Sequence, residues 1–433
     1  WKSIRKEPFT SAELSFIRRN DSLKALHKQK FWQDSADSVY NRITLRKVLF
    51  VGQGFYNRDN ESVWQFKPLV FIYTPIYIAG PRFNYWVYRY KEYKNKRSFS
   101  LFPTLNFGTL NRDLKGSLNA SLLYNPFKRA LVTASAGSDF GIINPYNSWL
   151  QQFTRSNFYV HDYVNAFHRI ELVNGLYFGA GAEYSNRRSI ADYTFDSRGD
   201  KLWGDSNVTV DFNYYKALYA NFSLSYTPFQ KYIREPFQKL ILGSKWPEFT
   251  VKYRKGLKTL SSVVDFDYLE FQVEQELKVG LAGISKYRLV SGEFLNTRDL
   301  RLVDYKFQRY TGPIFFSNPL YNYQGIDSSY ATFQRFYEGH YLHRFNGALI
   351  NKIPLLKKLN IIEVAGGGIL FTKERNLRYV EAFVGIEKVI RLWKERFRIG
   401  LFVVSGTSNQ FSYPTQLKFT IETYDKVRNK WPY

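Results

Sequence analysis

Leu417-Lys418-Phe419-Thr420-Ile421-Glu422-Thr423-Tyr424 alternates without a break between an apolar-leaning set and a polar one. A period of two places Leu417, Phe419, Ile421 and Thr423 on one face of a strand and Lys418, Thr420, Glu422 and Tyr424 on the other. The polar set runs through the middle of the strand, so one side is an oily wall and the other is wet. Four more extended runs precede it, Tyr337–Phe345, Ile361–Phe371, Val380–Ile390 and Phe397–Val404. The fold turns on whether the oily side meets a protein core or lipid.

Composition leans towards lipid. Aromatics make up 19% of the 433 residues (38 Phe, 34 Tyr, 9 Trp), yet the mean hydropathy stays negative at -0.38. A membrane-spanning helix needs about 20 consecutive apolar residues, and the apolar runs here are short pieces such as Leu69–Tyr73. Abundant aromatics on alternating segments suit a transmembrane β-barrel, with aromatic girdles outside and a polar lumen. A soluble β-sandwich is the alternative that composition alone leaves open. The lack of cysteine excludes disulfides and thiolate metal sites and fits an oxidising compartment. Methionine is also absent, so the sequence reads as a processed or partial chain.

The formal charge of +25, from 62 basic and 37 acidic residues, raises the question of nucleic acid. The basic residues are spread over many segments, with small clusters at Lys91–Arg97, Leu355–Lys358 and Arg391–Arg398, and no nucleic-acid-binding motif accompanies them. Basic turns lying against the anionic headgroups of outer-membrane lipid and lipopolysaccharide account for them better. Nucleic acid is not an expected partner.

Residues 1–44 differ from the rest. Thr10 with Glu13 makes a capping box, and Leu14, Ile17, Leu23 and Leu26 follow at roughly helical spacing. This predicts one or two amphipathic helices on the periplasmic side, packed on the end of the fold or binding a partner. Strands are expected from there to the end, over 45–433. Val48–Tyr56 or Gln65–Tyr73 comes first, then Arg82–Tyr90, Phe99–Phe107, Lys115–Tyr124 and Arg129–Ser138. Asn147–Phe158 has a mixed pattern that suits a short helix in a loop. Tyr163–Val173 and Leu176–Asn186 flank Asn174-Gly175, a strong hairpin signal. Asp267–Val279 carries Leu269, Phe271, Val273 and Leu277 on one face and Glu270, Gln272, Glu274 and Glu276 on the other. The ladder Glu270, Glu274, Glu276 suits a water-filled lumen and would be costly in a sandwich core.

Counting from Gln65–Tyr73, the runs total about sixteen, an all-β, antiparallel transmembrane barrel with a short helical N-terminal segment. Connections on the side of the termini are mostly short and those on the other side mostly long, as outer-membrane barrels require. Segments 228–247 and 347–360 are long yet fall on the short side. They are expected to be plugs or docking loops, with Tyr232, Arg234, Lys352, Lys357 and Lys358 as candidate docking residues.

Several strings resemble a known group. Leu242-Gly243-Ser244-Lys245-Trp246-Pro247-Glu248-Phe249-Thr250 is one, and Gly339-His340-Tyr341-Leu342-His343-Arg344-Phe345-Asn346-Gly347 with Asn351-Lys352-Ile353-Pro354 is another. The chain resembles Bacteroidota outer-membrane proteins of unknown function that carry a carboxypeptidase-regulatory-like domain. That name refers to an extra module ahead of the barrel and implies no peptidase. The final third is distantly similar to assembly barrels of the BamA/TamA kind, through His343-Arg344-Phe345, Leu356-Lys357-Lys358 and Ala365–Gly368. It departs from them in lacking an Arg-Gly-Phe/Tyr tip; Gln308–Gly312 and Tyr321–Gly325 are the nearest stretches.

Catalysis is not expected. His340 and His343 have opposite parity on a strand, as do His161 and His168, so neither pair is placed to share a metal ion. No serine elbow, phosphate loop or metal motif is present, and no cofactor is implied. A closed barrel must pair its first and last strands, so the seam attracts attention. Pro68 cannot donate a ladder hydrogen bond, which makes Pro68 and Val70, facing Phe419 and Ile421, the candidate seam. The expected function is outer-membrane protein assembly or export in the outer membrane, as a subunit of a larger complex with other outer-membrane or periplasmic proteins. A passive pore or a structural barrel is the alternative.

Overall fold

The structure, a computed structural model, describes residues 10–75, 77–145, 154–195, 207–348, 350–352, 359–392, 395–425 and 431. It opens with two helices. α1 (Ser11–Lys28) starts at Thr10, whose Oγ1 accepts from Glu13 N while Glu13 Oε2 accepts from Thr10 N, closing the expected capping box. α2 (Lys30–Asn41) follows after one residue. Lys47 ends it by donating its Nζ to the carbonyls of Val39, Tyr40 and Arg42 at 2.8, 2.7 and 3.1 Å.

Strands then follow in order: β1 (Gln53–Asn57), β2 (Ser62–Phe66), β3 (Tyr73–Thr74), β4 (Arg82–Glu92), β5 (Ser98–Gly108), β6 (Leu114–Asn125), β7 (Ala130–Ile142), β8 (Phe158–Val173), β9 (Leu176–Ser189) and β10 (Tyr215–Tyr226). A small hairpin, β11 (Lys231–Arg234) and β12 (Lys239–Gly243), stands apart. β13 (Glu248–Gly256), β14 (Asp265–Lys278) and β15 (Ile284–Asp299) resume the wall. A second small hairpin, β16 (Lys306–Phe307) and β17 (Ala331–Thr332), precedes β18 (Phe336–Arg344), β19 (Ile361–Thr372), β20 (Leu377–Leu392), β21 (Glu395–Ser408) and β22 (Ser412–Thr423). All except the two small hairpins belong to one eighteen-stranded antiparallel sheet in which sequence neighbours pair.

The wall is inside-out. On β22 Lys418 is 0% exposed and Thr420 4%, while Leu417 and Ile421 on the opposite face are each 64% exposed. β14 repeats this, with Glu270 buried and Phe271 exposed. In water such a sheet would show its oily face and hide its charges; a bilayer reverses the preference, which makes this a transmembrane β-barrel. The sheet curls around the segment 300–335. That one connection touches β9, β10, β13, β14, β20 and β22, which lie far apart along the strand order.

Two expectations about the start of the barrel need correcting. Gln65–Tyr73 is not one strand. Pro68, lacking an N–H, caps a short 3-10 turn at Leu69–Phe71, and the ladder resumes only at Tyr73. β2 and β3 therefore pair with opposite ends of the same strand, β4, as two pieces of one interrupted strand. Counting them as one and setting β1 aside leaves sixteen wall positions. Val48–Tyr56 also divides: Lys47–Val51 forms a π-helical turn, Gly52 turns at φ 97°, and β1 begins at Gln53. Of Asn147–Phe158, residues 147–153 lie outside the described part, Arg155–Asn157 form a 3-10 turn and Phe158 opens β8.

The strand order sorts the connections as expected. Turns 93–97, 126–129, 174–175 and 279–283 lie on the side where the chain ends, while 143–157, 190–214 and 300–335 lie on the other. Segments 227–247 and 345–360 are the two long connections on the terminal side.

Candidate functional site: a plugged lumen and an unpaired seam

The lumen is filled by the β15–β18 connection, held by charges that the wall strands turn inwards. Asp304 is buried and accepts from Arg187 Nη1 of β9 (2.9 Å), Arg254 Nη2 of β13 (3.0 Å) and the Tyr219 hydroxyl of β10 (2.9 Å). Lys306 Nζ reaches Glu270 at 2.9 Å, whose other oxygen takes Lys252 Nζ at 2.8 Å. The Tyr321 hydroxyl donates to Glu274 at 2.8 Å.

At the far side Glu381 of β20 receives the main-chain N–H groups of Gln324 and Gly325, at 2.8 and 2.7 Å, and the Tyr379 hydroxyl. Lys418 of β22 answers with three donations: to Thr311 Oγ1 and the Gly312 carbonyl, both at 2.8 Å, and to the Gln324 carbonyl. The Phe316 ring stacks on Phe402 at 3.7 Å between centroids and meets Phe383 edge-on at 5.0 Å. A carboxylate that accepts main-chain N–H groups and an ammonium that accepts nothing but donates three times are what a charged wall needs to hold a loop in a dry interior.

The ladder of carboxylates thus faces inwards, but onto the plug rather than onto open water. Glu270 and Glu274 bind it, and Glu276, nearer the terminal side, pairs with Lys286 at 2.9 Å. Gln308–Gly312 and Tyr321–Gly325 both fold into the lumen, where Tyr310 bridges to Tyr323. Below the plug a cavity of about 980 Å³ opens on the terminal side. Glu248, Glu274 and Glu276 line one wall of it, and Arg344 and Arg396 line the other.

The seam is the second feature. Among the described residues β1 and β22 do not pair with each other. The free edge of β1 is sealed by side chains: Asn41, the last residue of α2, accepts from Tyr56 N (2.6 Å) and donates to Tyr56 O (2.7 Å). Gln53 Nε2 covers the Gly54 carbonyl at 2.8 Å. The Tyr40 ring packs so close that a Cβ on Gly54 would lie 2.5 Å from its hydroxyl.

The free edge of β22 is met by main chain. Phe419 N donates to Ile314 O at 3.0 Å and Phe316 N donates to Phe419 O at 2.8 Å, a parallel bridge made by the plug. The Phe315 ring lies outside against Phe419, with centroids 4.8 Å apart, while Phe316 points inwards. Leu417 and Ile421 turn their backbone groups to the same edge, and among the described residues no main-chain partner meets them there.

Phe419 and Ile421 are therefore at the seam. Pro68 and Val70 are not on its edge strand: they lie in the break between β2 and β3, with β1 and the turn Lys47–Val51 beyond them. Tyr232 and Arg234 are on the exposed hairpin of 227–247, where Arg234 lies over the Phe127 ring at 5.1 Å and Lys239 pairs with Glu171. Lys352 is exposed in a short 3-10 turn, and Lys357 and Lys358 lie outside the described residues. The five histidines go to five places: His27 against Trp32, His161 to Glu183, His168 to Tyr124, His340 against Tyr323 and His343 to Ser285. Asn41, Asp304 and Glu381 escaped sequence reasoning. Only Asn41 had a local signal, as the third member of the polar row Gln33, Asp37, Asn41.

Fold and site together define a transmembrane β-barrel, plugged by its own loop and with its first and last strands not paired to each other among the described residues. The chain belongs to the family of unknown function DUF5686: residues 46–386 match its C-terminal domain. No curated protein matches the sequence. Among solved structures it is similar to BamA of Haemophilus ducreyi lacking POTRA domains 1-3, with 8% identity over 80% of this chain and 68% of that one and a TM-score of 0.45. CdiB of Acinetobacter baumannii is similar at 10% identity, over 79% and 56% of the two chains, with a TM-score of 0.39. Wzi of Escherichia coli, an outer-membrane protein involved in capsule assembly, gives 8%, 84%, 78% and 0.34.

Proposed function

We propose that this protein is an outer-membrane barrel acting in the assembly or export of other outer-membrane proteins, as a subunit of a larger complex, by opening its seam. The observation that carries the reading is the β22 edge, where one residue of a long strand is bridged by a short piece of plug. Lipid does not tolerate an open strand edge, so Leu417 and Ile421 call for a partner strand when the protein works. The seam, rather than the lumen, is the working surface. Hairpin 227–247 and the described ends of segment 345–360 stand where clients and periplasmic partners would dock, and the barrel works without cofactor or catalysis.

A structural barrel is the second reading, favoured by the number of charges that tie the plug in place; the same charges oppose passive solute flow. A reconstitution assay decides. Liposomes carrying the protein should speed insertion of a denatured test barrel, and a Phe315→Cys/Phe419→Cys disulfide should abolish the gain until reductant is added. Equal insertion with and without the protein would refute the assembly reading, and solute flux without insertion would favour a pore.

A further inference from the structure

α2 meets the barrel with its polar side. Gln33, Asp37 and Asn41 fall on one helical face. Gln33 and Asp37 hold Arg58, in the turn after β1, with the Arg58 guanidinium 2.7 Å from Asp37 Oδ1, and Asn41 seals Tyr56. A second arc, Asp34 and Ser38, is polar and exposed. The third is mostly apolar and bare: Phe31 is 84% exposed, Val39 68% and Trp32 39%, with only the exposed Ser35 between Phe31 and Val39 on that arc. The apolar exposure continues beyond the helix through Ile43, Leu45, Phe50 and Val51, reaching the exposed Leu69, Val70 and Phe71 on the barrel wall.

A helix packed in water turns its apolar arc to the protein. One that lies in a membrane interface divides its surface among lipid, water and whatever it is tied to. From these three arcs, and from the continuity of the apolar one with the lipid-facing wall, we infer that α2 is an in-plane membrane helix whose ligand is the phospholipid leaflet on the terminal side. Arg42 and Arg46, both exposed just past the helix, stand where phosphates would meet them. Because Asn41 is both the end of this helix and the cap on Tyr56, seating α2 in the leaflet is what keeps the β1 edge sealed. The inference rests on the transmembrane barrel and not on the assembly role.

The chain has no cysteine, so single spin labels report cleanly. Phe31→Cys, Val39→Cys, Asp34→Cys and Ser38→Cys would be labelled in phosphatidylethanolamine/phosphatidylglycerol liposomes, with Val384→Cys on the wall as reference. Labels at 31, 39 and 384 should favour oxygen over a nickel chelate, and those at 34 and 38 the chelate. Water-like values at 31 and 39, with 384 lipid-like, would overturn the inference; so would shielding of 31 and 39 from both reagents, which marks a protein partner. Water-like values at 384 as well would instead sink the barrel reading. Phe31→Ser with Val39→Ser should lower amide protection at Tyr56 at least fivefold and leave Phe419 unchanged; unaltered protection at Tyr56 would refute the sealing role.

Discussion

The two edges of the seam face the same demand, satisfied backbone groups next to lipid, and meet it differently. β1 is five residues long and is sealed by Asn41, Gln53 and Tyr40, side chains delivered by a helix or by the strand itself. β22 has twelve residues and is touched at one of them by main chain borrowed from a lumenal loop. A side-chain seal suits a permanent end, because no strand can pair there without dislodging α2. A three-residue main-chain bridge is strand pairing in miniature, and a longer strand would offer more hydrogen bonds. The seam is thus fixed on one side and replaceable on the other.

The largest way to break that contrast is at Lys418. Lys418→Ala removes three charge-assisted donations and leaves the buried Thr311 hydroxyl and the Gly312 and Gln324 carbonyls without them, which should cost about 3–5 kcal/mol. Urea unfolding followed by Trp fluorescence would read the loss, and planar-bilayer conductance should rise as the plug loosens. A variant as stable and as silent as the parent would show that the β22 side is not held through the plug. Next comes Phe316→Ala, which deletes the ring stacked between Phe402 and Phe383. A buried Phe→Ala change costs about 3–4 kcal/mol, and amide exchange at Phe419 should accelerate while Tyr56 stays protected. Equal acceleration at both sites would erase the distinction between the edges.

Asn41→Ala tests the other side and is smaller. It uncaps one donor and one acceptor, a loss of about 1–3 kcal/mol, and should expose Tyr56 without affecting Phe419. Asn41→Asp, which keeps an acceptor for Tyr56 N, should restore part of the protection.

The smallest effect comes from pH at the outer rim. Burial pushes the Asp113 carboxyl up, but the Arg82 guanidinium and Lys115 outweigh it and hold it below the usual carboxylate value. Burial and the Asp113 charge push the Tyr193 hydroxyl, which donates to that carboxylate at 3.3 Å, up to about 12. A depressed carboxyl contributes stability that is present above its unfolded value, near 4, and is lost as pH falls through the folded one. Protection at Tyr193 and Thr194 should therefore drop modestly between pH 6 and pH 3. No ionisable group takes part in the Asn41–Tyr56 or Ile314–Phe316–Phe419 hydrogen bonds, so acid should reach either edge only through its support, Asp37–Arg58 behind α2 or Glu381 and Lys418 at the plug. An edge that opened with acid while its support held would point to a coupling that these contacts lack.

The alternation in Leu417–Tyr424 and Asp267–Val279 sufficed to assign the faces of β22 and β14, because pleat geometry is local and each residue's side follows from its neighbour's. The capping box at Thr10 and the sorting of connections by length were legible as well, whereas the break at Pro68 was not, because Gln65–Tyr73 reads as one extended run until the turn Leu69–Phe71 is seen to interrupt it. The seam was only half legible. Phe419 and Ile421 are on it because β22 is the last strand, whereas β1 could not be told from the rest of Val48–Tyr56, since a π-helical turn and a short strand leave similar apolar patterns.

Sequence by itself thus determined a β-wall with an oily outside and a charged inside, since hydrophobic periodicity and backbone geometry act over a few residues. The tertiary structure alone decided what occupies the inside and what borders the last strand. Lys418 finds Thr311 across 107 positions and Arg187 finds Asp304 across 117. Nothing in the spacing of either residue announces such a partner. Contacts of that kind form only once the sheet has curled and the loop has entered it, when a charge that would otherwise be buried alone must be met by the polar groups within reach.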